Sequence, residues 1–510
     1  MISTNSHKNQ ASLPRRDFIK QSLSTVAVAG ISSTLMGASK CFAATNYDWK
    51  LGWKSVEQDS FAPIKMKVEG KLPHGLNGNY LRNGPAKLQR DKVRYQHWFD
   101  GDGMVQKFSI QDGGITHSGQ YVHTFKYKQE EKAQRFLYNG TGTVIENALP
   151  GRNNDTINTA NTALQMWDSE LLALWEGGSA YRLDAENLQT KGIKTWHDEL
   201  ANMPFSAHPL IDQDGNMWNC GFAPYAGKSG KVIVYYIEPK KGLQKSQVID
   251  LPFRGFMHDF AQTEKSLVFV VPPYTFTNGK GKTFVDKFQW QPQLGARLLV
   301  VNKDDLSQQQ WFELPAGFVF HFGHATEENG NLQVNMCWYD NANLMQQGMS
   351  ELMRSGNQIN ADRAFAATVV ANMRTGQAKL VKSQTTLEFP GFDDRAVMQN
   401  STIYGVSHSQ QALEHADTLM AFTPYDGEVD SYRYPKGVMV EEPILVTAQQ
   451  IAGASETHAG YILQTFLDVG SHKKSGVNVF EANNLQAGPI AQASMKRTLP
   501  LGFHGTYVAG

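Results

Sequence analysis

Apolar and polar positions alternate or cluster in short runs along almost the whole chain, from about Asp48 to its end. The runs at 171–175, 232–237, 266–271, 296–301, 332–338, 366–370, 419–422 and 461–466 are mostly apolar, and Gly, Asn, Asp or Pro separate them. Runs of roughly four to eight residues bounded by turn formers predict β-strands. Their order shows no strand–helix alternation of the kind that builds a parallel sheet. They are too many for one sandwich, whereas a propeller takes such a number into a single domain. No WD or kelch signature recurs, so periodicity leaves the blade count open. Two stretches, 341–354 and 447–452, predict helices as excursions from the strands. The segment 272–290 reads as a long polar and aromatic connection, and connections of that length tend to carry function.

The first forty residues do not follow this pattern. Pro14-Arg15-Arg16-Asp17-Phe18-Ile19-Lys20 has the twin-arginine form, and 23–38 is a weakly apolar run rich in Ala, Ser and Gly. Its serines and glycines make it a poor membrane span. Cys41-Phe42-Ala43 then offers small residues at the two positions a signal peptidase reads. The expectation is a leader over 1–43, handled by the twin-arginine translocation machinery, and a periplasmic protein whose residues 44–510 form one propeller domain. Lys and Arg together number 48 and so do Asp and Glu, giving zero net charge, and no basic run follows the leader. Nothing there calls for nucleic acid. Past the leader only Cys220 and Cys337 remain. Both lie in strand-like runs and are expected as buried packing residues, since two cysteines make neither a disulfide framework nor a thiolate site.

Candidate chemistry comes from histidine. Of 15 histidines, most, among them His117 and His415, sit in polar stretches with nothing special around them. Four lie within or at the end of apolar runs: His208, His258, His321 and His504, the last in Leu501-Gly502-Phe503-His504-Gly505-Thr506 at the chain's end. Each alone reads as a hydrogen-bonded core histidine. Four in matching settings on distant strands point to a shared metal, and imidazole suits Zn, Cu, Fe and Ni. Neutral ligands leave the ion's charge uncompensated, so carboxylates should accept the second ring N–H of the ligands. Glu176, Glu388 and Glu442 lie in or beside apolar runs and are the candidates, the other reading for each being a strand-end carboxylate facing water.

These residues stand in sequence motifs that resemble the carotenoid cleavage oxygenases, the family that includes stilbene-cleaving dioxygenases and the retinal pigment epithelium isomerase. The markers are Leu76-Asn77-Gly78-Asn79-Tyr80-Leu81-Arg82-Asn83-Gly84-Pro85, His97-Trp98-Phe99-Asp100-Gly101-Asp102-Gly103-Met104 and Leu171-Leu172-Ala173-Leu174-Trp175-Glu176. Phe320-His321 with Glu327-Glu328 behind it, Leu387-Glu388-Phe389-Pro390, Glu442-Pro443 and Gly502-Phe503-His504-Gly505-Thr506 follow in the family's order. The resemblance implies an all-β, seven-bladed β-propeller with a cap of loops and short helices over an axial metal site. It implies Fe(II) held by His208, His258, His321 and His504, with Glu176, Glu388 and Glu442 behind them as acceptors. His324 is a rival for His321, and it departs from the asparagine usual in the family. Glu441 adjoins Glu442 in the same way. Asp100 and Asp102, which could be read as calcium or catalytic carboxylates, are expected in a tight structural turn.

The activity implied is a non-haem dioxygenase that uses O2 to split a conjugated C=C bond into two carbonyl fragments, with an apolar tunnel selecting the bond. Stilbene-cleaving members polarise a phenol with a Tyr and a Lys. Tyr121 stands for the tyrosine, but Gly151-Arg152-Asn153-Asn154-Asp155 holds no lysine before Ala160-Asn161-Thr162, unless Arg152 substitutes. That favours a carotenoid or apocarotenoid over a lignostilbene. The alternative of another class is a propeller that binds a polyene without cleaving it. A zinc hydrolase would place a carboxylate among the metal ligands. A polyene substrate also implies peripheral membrane contact through an apolar patch at the tunnel mouth.

Overall fold

The computed structural model describes residues 47–277, 279, 281–355, 363–393, 395, 401–409, 415–470 and 472–510. The leader expected over 1–43 lies outside them. The described residues form one compact unit.

Seven antiparallel sheets make the seven blades of a β-propeller. Blade 1 runs from Gly505–Ala509 through Gly78–Lys87, Asp102–Gln111 and Gly114–Tyr121 to Ser60–Lys65. Blades 2 to 6 follow in chain order and start from Ala163–Trp167, Leu210–Ile211, Ala261–Gln262, Phe318–Glu328 and Glu388–Gly391. Blade 7 starts from the broken strand Val438–Val440 and Ile444–Val446, and adds Tyr461–Asp468, Lys474–Glu481 and Ala491–Met495 before it ends on Lys67–Gly70.

The ring is closed twice. The chain's last strand completes blade 1, with Thr506 opposite Leu81, and the early strand Lys67–Gly70 completes blade 7, with Val68 opposite Ala493. Both closures pair an edge that would otherwise expose unpaired backbone groups. The first requires close backbone approach: a Cβ on Gly84 would overlap the Cα of Gly502, so glycine is needed where the closing segment crosses blade 1.

The core lies between blades. One cluster joins blades 3 and 4 through Val232, Val234, Phe269 and Leu299, and another joins blades 4 and 5 through Val268, Leu298, Val334 and Val369. A strand covered on both faces needs apolar residues at every position. Ser266–Val271 is such a strand, buried throughout, and the sequence there shows a continuous run in place of alternation. Cys220 and Cys337 are fully buried within these sheets and unpaired.

The cap is a separate aromatic and methionine-rich cluster that includes Trp53, Trp98, Phe256, Met345, Leu352 and Phe503. The helix expected over 341–354 appears as a π-helical turn, Leu344–Gly348, followed by α-helix Met349–Ser355. That expected over 447–452 is a single 3-10 turn, Ala448–Gln450, with a capping box from Thr447. The connection 272–290 carries a two-stranded ribbon, Tyr274–Phe276 with Phe288–Trp290. An α-helix at Phe125–Ala133 escapes the pattern because its sequence is mostly polar and its few apolar residues form no helical stripe. Its start is marked only by Thr124, whose hydroxyl accepts the Tyr127 N–H at 3.1 Å.

Candidate metal centre

Each blade brings one group to the axis. His208 and His258 end the approaches to the first strands of blades 3 and 4, His321 lies inside the first strand of blade 5, and His504 immediately precedes Gly505–Ala509 of blade 1. Glu176 follows the strand Glu170–Leu174 of blade 2, and Glu388 opens the first strand of blade 6. Glu442 sits in the break of blade 7's first strand, beside Pro443, which cannot donate to a ladder. Residues almost 300 positions apart become neighbours only because the ring closes.

One potential ligand nitrogen from each of His208, His258, His321 and His504 lies within 4.8 Å of the others. The Nε2 atoms of His208 and His258 are 3.1 Å apart, and those of His321 and His504 are 3.2 Å apart. Behind them His258 Nδ1 meets Glu176 at 2.6 Å, His321 Nδ1 meets Glu388 at 2.5 Å and His504 Nδ1 meets Glu442 at 2.8 Å. His208 has no glutamate; its Nδ1 stands 4.0 Å from Asp259.

A carboxylate only accepts hydrogen bonds, so the three Nδ1 atoms carry protons, and a ring with no second proton turns an Nε2 lone pair inward. Two lone pairs face each other at 3.2 Å between His321 and His504. Only a proton or a cation between them relieves that repulsion. Burial, then the neighbouring imidazoles, holds His208 and His504 well below the usual imidazole range. Burial also opposes charge on His321, but Glu388 outweighs it and raises its pKa. Adjacent nitrogens about 2.1 Å from one metal, at right angles, stand about 3 Å apart. The donor set and its spacing therefore fit a transition-metal ion.

The outer groups are held as firmly. Burial raises the Glu442 pKa, and Arg82 opposes it, donating from Nη1 to Glu442 at 2.8 Å and from Nη2 to the Phe503 carbonyl at 2.7 Å. Glu441 faces elsewhere, accepting from the Gly502 N–H and the Thr465 hydroxyl. Asp259 accepts the N–H groups of Phe260 at 2.7 Å and Phe322 at 2.9 Å, which ties the His258 segment to the His321 strand. Phe389 adopts φ +54°, a costly conformation for an aromatic residue, and its ring lies 5.0 Å from His321 and 5.3 Å from His504. Asp259 was legible as a carboxylate in an apolar run, whereas Arg82 and Phe389 stood in the family motifs with nothing to mark their part at the centre. Glu388→Gln is expected to lower metal affinity about tenfold to a hundredfold in chelator competition. Unchanged affinity would mean that this contact does not orient His321.

The group opens on a cavity of about 350 Å³, with His258, His321 and His504 in its wall among Phe256, Phe320 and Phe503. The 272–290 connection contributes Phe276, Phe284 and Lys287. His324 is not in the four-histidine group and packs against Phe392 at 5.6 Å. Asp100 accepts from Gly142 N–H and the Thr143 hydroxyl, and Asp102 pairs with Lys126 at 2.8 Å and Arg90 at 3.2 Å, so both are structural. Tyr121 does not fill the role of a phenol-binding tyrosine. It is buried in blade 1 and gives its hydroxyl proton to the Val56 carbonyl at 2.8 Å, because an inward position in that strand faces the core. Arg152 is exposed and does not line the cavity; Lys126 and Lys287 do. His117 and His415, which lie in polar stretches of the sequence, are both buried, and His415 lines the cavity.

Residues 53–509 match the family model described as retinal pigment epithelial membrane protein. The chain is 30% identical to carotenoid 9,10(9',10')-cleavage dioxygenase 1 of Pisum sativum, over 91% of this chain and 90% of that one. It is 28% identical to apocarotenoid-15,15'-oxygenase of Synechocystis, over 90% and 96%. The crystal structure of cobalt-substituted Synechocystis ACO superposes with a TM-score of 0.79 at 26% identity, covering 91% of this chain and 98% of that one. A match along nearly the whole propeller, together with the order of its motifs, places the chain in the carotenoid cleavage oxygenase family, that of the retinal pigment epithelial membrane protein.

Proposed function

We propose that this protein is a non-haem Fe(II)-dependent dioxygenase that cleaves a conjugated C=C bond of an apocarotenoid into two carbonyl products. The observation that carries this reading is the convergence of four histidines, three of them backed by glutamates, in the wall of a cavity with aromatic lining. The two relatives named above are called a carotenoid-cleavage dioxygenase and an apocarotenoid oxygenase. His208, His258, His321 and His504 would hold the ion through nitrogen. Iron bound there would supply redox chemistry with O2 beside the substrate's double bond. The protein's own part is positional. Glu176, Glu388 and Glu442 keep Nδ1 protonated and Nε2 free to donate its lone pair, which fixes each ring's orientation. Phe256, Phe320 and Phe503 exclude water and align an extended apolar substrate along the cavity.

The test is anaerobic reconstitution with Fe(II), followed by air and an apocarotenal or, separately, a 4-hydroxystilbene, with mass spectrometry of the products. Two carbonyl fragments from the apocarotenal support the proposal, and their masses name the bond. Cleavage of the stilbene alone replaces the polyene with a phenolic substrate. Stoichiometric iron without cleavage of either leaves a polyene-binding propeller.

Two further proposals concern location. The leader directs export, so the full-length Arg15→Lys/Arg16→Lys chain is expected to stay in the cytoplasm on fractionation; export unimpaired would refute twin-arginine targeting. Among the residues that line the cavity Tyr225 is exposed and Phe276 half-buried, which supports peripheral contact with a bilayer holding the substrate. Liposome co-sedimentation is expected to recover the protein with the lipid, and recovery only in the supernatant would refute the contact.

A further inference from the structure

The cavity grades from a dry inner end to a polar rim. Trp98, Met345, Leu352 and Val406 line it and are almost fully buried. Asn139 also lines it but is exposed, and Thr141 and Lys287 are half-buried. At this rim two segments meet: the Val285 N–H donates to the Thr141 carbonyl at 3.0 Å, which sets the 272–290 connection against the loop at 139–141. Lys287 stands two residues further on. Its carbonyl accepts the Thr277 N–H at 2.6 Å and the Thr277 hydroxyl at 3.0 Å, so its side chain starts from a fixed backbone.

Histidines aside, the ionisable groups that line the cavity are Asp100, Lys126, Glu176, Lys287 and Glu388. Four of them are engaged. Lys126 meets Asp102 at 2.8 Å and Glu130 at 2.9 Å, Glu176 and Glu388 hold His258 and His321, and Asp100 accepts from Gly142 N–H and the Thr143 hydroxyl. Among the described residues, only Lys287 of these five makes no hydrogen bond or ion pair through its side chain. An ammonium group carries one positive charge and three donors, so this part of the rim is complementary to an anionic oxygen. From the same connection a row of rings leads inward. Phe284 stands 6.4 Å from Phe256, Phe256 6.1 Å from Phe318, Phe318 4.8 Å from Phe320, and Phe320 5.4 Å from His258. At the inner end Trp98 touches Phe503, the residue before His504, at 4.9 Å. The histidine group therefore lies between the rim and the dry end.

We propose that Lys287 selects a conjugated substrate with a carboxylate at one end, holding that end at the rim while the apolar end occupies the dry part of the cavity. The substrate class is then an apocarotenoic acid in preference to the matching alcohol. The inference rests on the dioxygenase reading above and deepens it: an anchored end fixes which double bond, counted from the carboxylate, comes to lie beside the metal centre. An anionic oxygen at the rim has two sources, a substrate carboxylate and a lipid phosphate, and the experiment separates them.

The experiment is a binding titration of the iron-loaded protein in non-ionic detergent under argon, where no oxygen is present for cleavage, read by quenching of tryptophan fluorescence. The probes are an apocarotenoic acid and the alcohol of the same chain length. The acid is expected to bind about tenfold more tightly. In Lys287→Met the ratio is expected to fall close to one, and in Lys287→Arg to return. Equal affinities in the unmodified protein would overturn the assignment, as would a preference for the acid that survives in Lys287→Met. Co-sedimentation with vesicles of phosphatidylcholine, with and without phosphatidylglycerol, tests the other source. Should Lys287→Met lose binding to the anionic vesicles while the acid-to-alcohol ratio stays unchanged, the lysine serves the headgroup and the substrate assignment falls. A preference for the acid without cleavage on admitting air would uphold the role of Lys287 and overturn the dioxygenase reading, and cleavage with equal affinities would do the reverse.

Discussion

The His258→Ala protein is expected to emerge folded but without stoichiometric metal and without cleavage activity. His258 Nε2 stands 3.1 Å from His208 Nε2, while its Nδ1 is held by Glu176 at 2.6 Å, so removing the ring takes away one ligand and strands a carboxylate beside the centre. No other histidine in its stretch, Gly255-Phe256-Met257-His258-Asp259-Phe260, could replace it. His324→Ala is the control. His324 lies three residues beyond His321 on the same strand, yet it packs on Phe392 outside the group, so metal content should be retained. Metal analysis beside circular dichroism separates loss of ligand from loss of fold. Metal and activity retained in His258→Ala would remove this histidine from the ligand set.

Arg82→Met is expected to cost roughly 3–5 kcal/mol of stability, the range for breaking a buried ion pair by removing one partner. Arg82 is 2% exposed and faces two carboxylates, with Nη1 2.8 Å from Glu442 and Nε 3.8 Å from Glu441. Methionine fills much of the volume but leaves both glutamates with little compensation. Burial already raises the Glu442 pKa, and without Arg82 it rises further, which weakens the acceptor for His504 Nδ1. The loss should appear in urea unfolding and, in parallel, as weaker metal retention. Adding Glu442→Gln to Arg82→Met should recover part of the stability, because the stranded charge is gone. A loss under about 1 kcal/mol would mean that the pair is effectively solvated.

How much of this could be read beforehand follows from the range of each interaction. The strands were legible because their apolar runs report burial, on both faces throughout Ser266–Val271 and from Val334 onward in Asn331–Tyr339, and both match the expected runs closely. The helix Phe125–Ala133 was not legible: it is short and polar, and its packing, not its pattern, keeps it helical. The excursion at 341–354 was visible, but whether it would be π-helical or α-helical depends on how Leu344 and Met349 meet the cap cluster. His208, His258, His321 and His504 drew attention by sitting in apolar runs, and the motif order named the glutamates. The structure puts His324 outside the group and turns Glu441 towards Gly502, so it separates each neighbour from its rival.

The sequence by itself determined an all-β ring, its candidate imidazoles and the carboxylates to look for, because strand burial and family motifs are local in the chain. Only the tertiary structure decided that seven blades each deliver one group to a single axis, that Arg82 and Asp259 brace them, and that His415 and Trp98 are buried together beside the centre. The physical reason is closure. Thr506 must pair with Leu81 before His504 meets His321, and contacts between residues 183 positions apart leave no trace in local periodicity.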